Sequence, residues 1–128
     1  NSRFFLADAL RSIQEKKIFI TSNQNIVRDY IGADDLYQLI LKLTSRDNLN
    51  TVVDAYSLGP IEKFSILEML KKNFNLRYEF TESEVGLNAT GSKDRYFSKN
   101  YCAKNYGYKP SLSSAGLILK VARNLLSR

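Results

Sequence analysis

The run Val27-Arg28-Asp29-Tyr30-Ile31-Gly32-Ala33-Asp34-Asp35-Leu36 constrains this chain more than any other stretch. It joins an apolar strand, Ile26–Ile31, to a helix that opens on two carboxylates, and Gly32 permits the bend between them. A fixed cation therefore stands beside a helix N-terminus, where backbone N–H groups also favour anions. Side chains alternate along a strand, so Arg28 and Asp29 face opposite ways. That makes Arg28 a candidate anion ligand and Asp29 an orienting or helix-capping group. Asp34 and Asp35 fall in the first helical turn, where carboxylates oppose the macrodipole favourably, and they read as structural.

Hydrophobic spacing extends this local order in both directions. Leu6, Ala9, Leu10 and Ile13 recur at helical period, predicting a helix over about Ser2–Lys16, and Ile18–Thr21 follows as a short strand. Leu36, Leu39, Ile40 and Leu43 form the next helical stripe, which reads as core and closes at Ser45–Asn48. Thr51–Leu58 is rich in β-formers and is bounded by Gly59-Pro60, predicting a strand. Ser65-Ile66-Leu67-Glu68 matches a capping box, and Ile66, Leu67, Leu70 and Phe74 continue as a core-facing stripe to about Asn75. Arg77–Thr81 reads as a strand, while Glu82–Asn100 lacks a period and reads as a long loop of the kind that is usually functional or mobile. A short helix at Asn100–Tyr106 is stopped by Gly107 and Pro110, and Ser113 is the expected cap of a last helix. The fold class is α/β, with mixed short strands and about five helices in an order too irregular for a complete doubly wound sheet.

Composition narrows the classes of function. The chain's 128 residues suit one domain, with 44% hydrophobic and 25% charged residues, ordinary globular values. Net charge is +6, from 19 Lys+Arg against 13 Asp+Glu, which favours anionic partners. The basic residues are scattered, with the densest groups at Lys16-Lys17, Lys71-Lys72 and Lys93 with Arg95, so most of this charge reads as solvated surface. One cysteine, Cys102, and no histidine exclude an internal disulfide framework, and they argue against structural zinc and against a Cys–His nucleophile. Cys102 reads as a packing residue, and cysteine usage fits a reducing cytoplasm. No apolar run reaches membrane-spanning length, and no signal peptide is visible. The start at Asn1, entering directly into a helical pattern, suggests an excised fragment.

The six glycines stand isolated at positions 32, 59, 86, 91, 107 and 116. No Gly-rich turn therefore brings backbone amides to a pyrophosphate, and the sequence holds no complete dinucleotide-binding unit. Walker A and nucleophile-elbow sequences are also absent.

Four stretches, in order, resemble the C-terminal lobe of the extended short-chain dehydrogenase/reductases, the NAD-dependent epimerase/dehydratase family that modifies nucleotide sugars. Ser2–Lys17 with Ile18–Thr21 is similar to the helix and strand that precede its substrate-facing segment. Val27–Leu36 resembles its Arg-Asp-aromatic-Ile-x-x-Asp-Asp-hydrophobic block, the most specific match. Val53–Leu70 resembles the strand, Gly-loop and helix that follow, and Ser98–Leu117, with Tyr106-Gly107-Tyr108-Lys109-Pro110, resembles the closing Leu-Gly-Trp-x-Pro block.

The resemblance implies a C-terminal fragment of an extended Rossmann-type enzyme. Residues 1–128 would be a substrate-binding lobe that also carries elements completing an upstream Rossmann domain. It implies NAD or NADP in the full-length enzyme, held mainly by that domain, with no cofactor-binding, catalytic or metal residue in this chain. The family's acid/base pair is Tyr-x-x-x-Lys, and none of the eight tyrosines here has Lys four residues on. The isolated chain is accordingly expected to be inactive.

The resemblance also implies that Arg28 contacts the nucleotide-sugar diphosphate; a salt bridge to Asp29, Asp34 or Asp35 is the other reading. The family's second cation, from an Arg-x-Gly-Asp block, has no clear counterpart. Lys93 or Arg95 are the candidates, each of which also reads as a solvated loop charge. Tyr96, Phe97 and Tyr101 read either as base-stacking surfaces or as apolar anchors. The expected partners are a nucleotide sugar and the upstream Rossmann domain, with no nucleic acid and no membrane, in the cytoplasm; a homodimer of the full-length protein stays open. The alternative function is a small basic module that binds nucleic acid or another anion.

Overall fold

The computed structural model describes residues 4–46, 50–81 and 94–127. Helix α1 (Phe5–Glu15) leads into β1 (Phe19–Thr21), β2 (Val27–Arg28), α2 (Ala33–Thr44), β3 (Ile61–Glu62), α3 (Lys63–Phe74), β4 (Tyr78–Phe80) and β5 (Arg95–Tyr96). A 3₁₀ helix (Cys102–Tyr106) and α4 (Ser114–Leu126) close the order. The strands make two small sheets. In one, β1 lies parallel to β4, with Phe19 opposite Tyr78. In the other, β2 is central, antiparallel to β3 and parallel to β5.

The larger core lies between α1, α3, β1 and α4, where Leu10, Phe19, Ile66, Leu70, Leu76 and Ile118 are buried together. Each such side chain removed from water contributes roughly 1.5–3 kcal/mol. The stripe that begins at Ile66 is thus core, as its spacing predicts. A smaller cluster gathers Leu39, Tyr56, Ala103 and Tyr108. There Tyr56 packs edge-on against both Tyr101 and Tyr108, at ring separations of 4.9 and 5.0 Å, and the Tyr108 hydroxyl donates to the Tyr56 carbonyl at 2.5 Å. Tyr101 is therefore an apolar anchor of its loop. Gly107, at φ 92°, ends the 3₁₀ helix in a left-handed conformation that a side chain would strain.

Several expectations change. The stripe of α2 is core only in part: Leu39 is buried and Leu43 packs against its cluster, but Leu36 and Ile40 are 45% and 48% exposed. The 3₁₀ helix packs against α2, and Asp35 is the other buried position of the helix. Thr51–Leu58 forms no ladder among the described residues, although Tyr56 and Ser57 are buried. Strand β2 spans two residues instead of Ile26–Ile31, because the chain beyond Arg28 is held by side-chain hydrogen bonds instead of a ladder. Within the stretch read as a loop, residues 82–93 lie outside the described residues, and Arg95–Tyr96 is a strand.

The capping box at Ser65 is also replaced. Helix α3 starts three residues earlier, with Glu62 at the N-cap and no cap from its own side chain. Asn25 from the preceding loop supplies one: its Oδ1 accepts from the Phe64 amide at 3.1 Å while its Nδ2 donates to Glu62 at 3.3 Å. Glu68 instead accepts from the Tyr78 hydroxyl. At α4, by contrast, the Ser113 hydroxyl accepts from the Gly116 amide at 3.1 Å, as the sequence predicts.

These caps give an ordered set of stabilities. Asn25→Ala and Ser113→Ala should each lower unfolding free energy by about 1 kcal/mol. Ser65→Ala should change it by less than about 0.5 kcal/mol. Urea melts of the three variants test the order, and a larger loss at Ser65 than at Asn25 would restore the capping box.

Candidate functional site

Arg28 ends β2 and Asp29 follows it directly, with the two side chains engaged by different partners. The Asp29 carboxylate turns inward and gathers three donors. Its Oδ2 accepts from the Ser57 amide at 2.9 Å, and its Oδ1 accepts from the Ser114 hydroxyl at 2.8 Å and from the Ser57 hydroxyl. The Tyr30 amide then donates to Ser114 Oγ at 2.7 Å, and the Ser114 amide to the Gly59 carbonyl at 2.9 Å. One carboxylate thus ties the exit of β2 to the Ser57–Gly59 turn and to the first residue of α4. Asp35, 5% exposed, works similarly: it accepts from the Ser111 amide at 2.9–3.0 Å and from its hydroxyl at 2.7 Å. Gly32 has an ordinary φ of −75°, so the bend does not require glycine; a Cβ there would stand 3.2 Å from the Leu117 side chain, and close approach to α4 is its reason.

Asp29 and Asp35 are engaged elsewhere, and Arg28 makes no ion pair among the described residues. The predicted salt bridge to Asp29, Asp34 or Asp35 does not form. Arg28 is exposed, and its guanidinium carbon lies 5.3 Å from the centroid of Tyr96, its register partner across β5. This fixes a planar cation on an aromatic face, an attraction of about 0.5–1 kcal/mol at exposed sites.

Arg28 opens on a cavity of about 430 Å³. Phe19, Ile61 and Ile66 supply apolar walls, Thr21, Ser22 and Thr81 line it with hydroxyl-bearing side chains, and Tyr30 and Lys63 add further polar groups. Burial raises the Tyr30 hydroxyl pKa, and the Arg28 charge offsets part of that rise. The Lys63 ammonium pKa is lowered, first by burial and then by the like charge of Arg28. No Asp or Glu is among the described residues lining the cavity.

The other two sequence candidates are not brought to this cavity. Lys93 lies outside the described residues. Arg95 is exposed on β5 and is the register partner of Val27, so it shares Val27's face, opposite to that of Arg28. The cation that joins Arg28 is Lys63, which sequence reasoning missed. Its only signal was a lysine just ahead of an apolar helical stripe, a position ordinarily solvated. Cys102 is half-buried in the 3₁₀ helix. Among the described residues no group of three His, Cys, Asp or Glu could hold a metal ion, and no helix is long and apolar enough to cross a membrane.

This mixed α/β arrangement is similar to part of the fold of three solved enzymes, and the chain spans less than half the length of each. MoeE5, solved in complex with UDP-glucuronic acid and NAD, matches with a TM-score of 0.75 at 13% identity, over 100% of this chain and 43% of its own. UDP-glucuronic acid 4-epimerase from Bacillus cereus, solved with NAD, matches with a TM-score of 0.69 at 12% identity, over 95% of this chain and 40% of its own. RMD from Pseudomonas aeruginosa, complexed with NADPH, matches with a TM-score of 0.69 at 15% identity, over 96% and 42%. No protein-family model and no curated protein matches the sequence.

Asp29 is the structural half of the site. Asp29→Ala removes the charged acceptor shared by the Ser57 amide and the Ser57 and Ser114 hydroxyls and should cost about 3 kcal/mol in unfolding free energy. Asp29→Asn, which keeps one carbonyl oxygen, should cost roughly half as much. Chemical denaturation of both variants measures the difference, and an alanine variant as stable as the parent would remove Asp29 from this role.

Proposed function

We propose that this chain is the C-terminal, substrate-binding lobe of an NAD(P)-dependent nucleotide-sugar epimerase, dehydratase or reductase. The observation that carries the reading is Arg28: a guanidinium with no carboxylate partner among the described residues, steadied on Tyr96 and opening on a cavity lined without acid. Its planar fork suits the oxygens of a diphosphate, with charge-assisted hydrogen bonds. The fold shared with MoeE5, solved with UDP-glucuronic acid and NAD, supports this class of ligand.

In this reading residues 1–128 also complete an upstream Rossmann domain. The exposed Leu36 and Ile40 face of α2 and the extended Thr51–Leu58 segment without a ladder support that, since both are surfaces a neighbouring sheet would cover. NAD or NADP, held upstream, would supply the hydride chemistry. This chain's own contribution is binding: Arg28 grips the nucleotide end, and that remote binding energy positions the sugar ring for reaction. Arg95 keeps the expectation of a further cation only as an exposed residue of β5. The cytoplasm is the compartment proposed.

Arg28→Ala in the full-length enzyme should raise KM for the nucleotide sugar about 10- to 100-fold, the loss of one charge-assisted phosphate contact, with a smaller change in kcat. Steady-state kinetics decide it, and unchanged KM and kcat would count against the phosphate role. Residues 1–128 alone should turn over no nucleotide sugar, so turnover by that chain would sink the lobe reading.

A further inference from the structure

Lys63 is the first residue of α3, and it is only 7% exposed. Its amide continues the sheet by donating to the Ile26 carbonyl at 2.8 Å, which directs the side chain back across β2. The ammonium donates to the Ser22 carbonyl at 2.7 Å and to the Ser22 hydroxyl at 2.9 Å, and it stands 5.5 Å from the centroid of the Phe5 ring. An ammonium has three N–H donors. Two go to Ser22, and no carboxylate among the described residues pairs with the ammonium, in a side chain that lines the Arg28 cavity.

Burying an ammonium without a counter-charge is costly, and here a second cation adds repulsion. The lowered Lys63 pKa reflects both effects. An anion in the cavity relieves both. The two cations line one cavity but are held by different elements: Lys63 by Ser22, just after β1, and Arg28 by Tyr96, in β5 of the other sheet. Two separated cations fit two linked anionic groups better than one.

We propose that Lys63 is the second cation of the Arg28 cavity, holding one phosphoryl group of a diphosphate whose other phosphoryl group is held by Arg28. This rests on the reading of Arg28 as a phosphate ligand and adds a residue that no resemblance supplied.

Titration calorimetry of the full-length protein with inorganic pyrophosphate and with inorganic phosphate tests it without assuming a nucleotide. The parent protein should bind pyrophosphate at least about tenfold more tightly than phosphate. Lys63→Met should erase that preference, and Lys63→Gln, which keeps a donor for Ser22 without the charge, should do the same. Arg28→Ala should weaken both ligands. Either Lys63 variant, with a parent-like melting temperature, binding pyrophosphate as the parent does would overturn the proposal while leaving Arg28 in place. A parent protein that binds neither anion overturns the Arg28 reading, and this one with it.

Discussion

The Asp29 carboxylate is the interaction on which the site depends. It accepts from one amide and two hydroxyls, and those donors come from two distant parts of the chain, Ser57 and Ser114. Hydrogen bonds to an ionised acceptor are stronger than neutral ones, and an unmet buried donor is expensive. The strand exit, the turn before β3 and the start of α4 are therefore one unit. Asp35 adds a second tie, from α2 to Ser111, just ahead of the same helix. With α4 held twice, Gly32 can approach Leu117 closely, and the end of β2 has a fixed place against the core.

That unit also explains why Arg28 is available. Adjacent opposite charges on an exposed strand would ordinarily find one another or be neutralised by a nearby carboxylate. Here alternation sends Asp29 inward, and its oxygens are saturated there by serine donors, so the guanidinium lies over Tyr96. The same sequence pair thus yields a structural anion and a presented cation.

Much of this was legible in the sequence, and the failures share a cause. Alternation separated Arg28 from Asp29 correctly, periodicity located α1, α3 and α4, and Ser113 was readable as a cap because all its partners are local. Asn25 was not, since it caps α3 from 39 residues away. Lys63 was missed for the same reason: a lysine near a helix start reads as solvated until Ser22 and Phe5 are brought over it. The second cation was sought in residues 93–95, close to the position a family pattern suggests, whereas strand register sends Arg95 to the other face. Local rules found the elements; contacts between distant segments decided which charges meet.

The opposite failure, at α2 and Thr51–Leu58, has a different physics. Both carry the pattern of buried structure, a helical apolar stripe and a β-rich run, yet Ile40 is 48% exposed, Val52 is 84% exposed, and Thr51–Leu58 has no ladder among the described residues. Pattern reports the environment a segment is suited to, not the neighbours present in one stretch of chain. A helix stripe wants a facing layer, and an extended β-rich segment wants a ladder partner for its N–H and C=O groups. Where sequence pattern demands burial and the surrounding chain does not provide it, the mismatch marks the surface on which another layer belongs. The described part of the Arg28 cavity is built from α1, α3 and the strands, whereas this surface is carried by α2 and the segment after it. In the proposed function, binding of an anion and attachment of a neighbouring layer therefore fall to different elements, joined through the Asp29 and Asp35 ties.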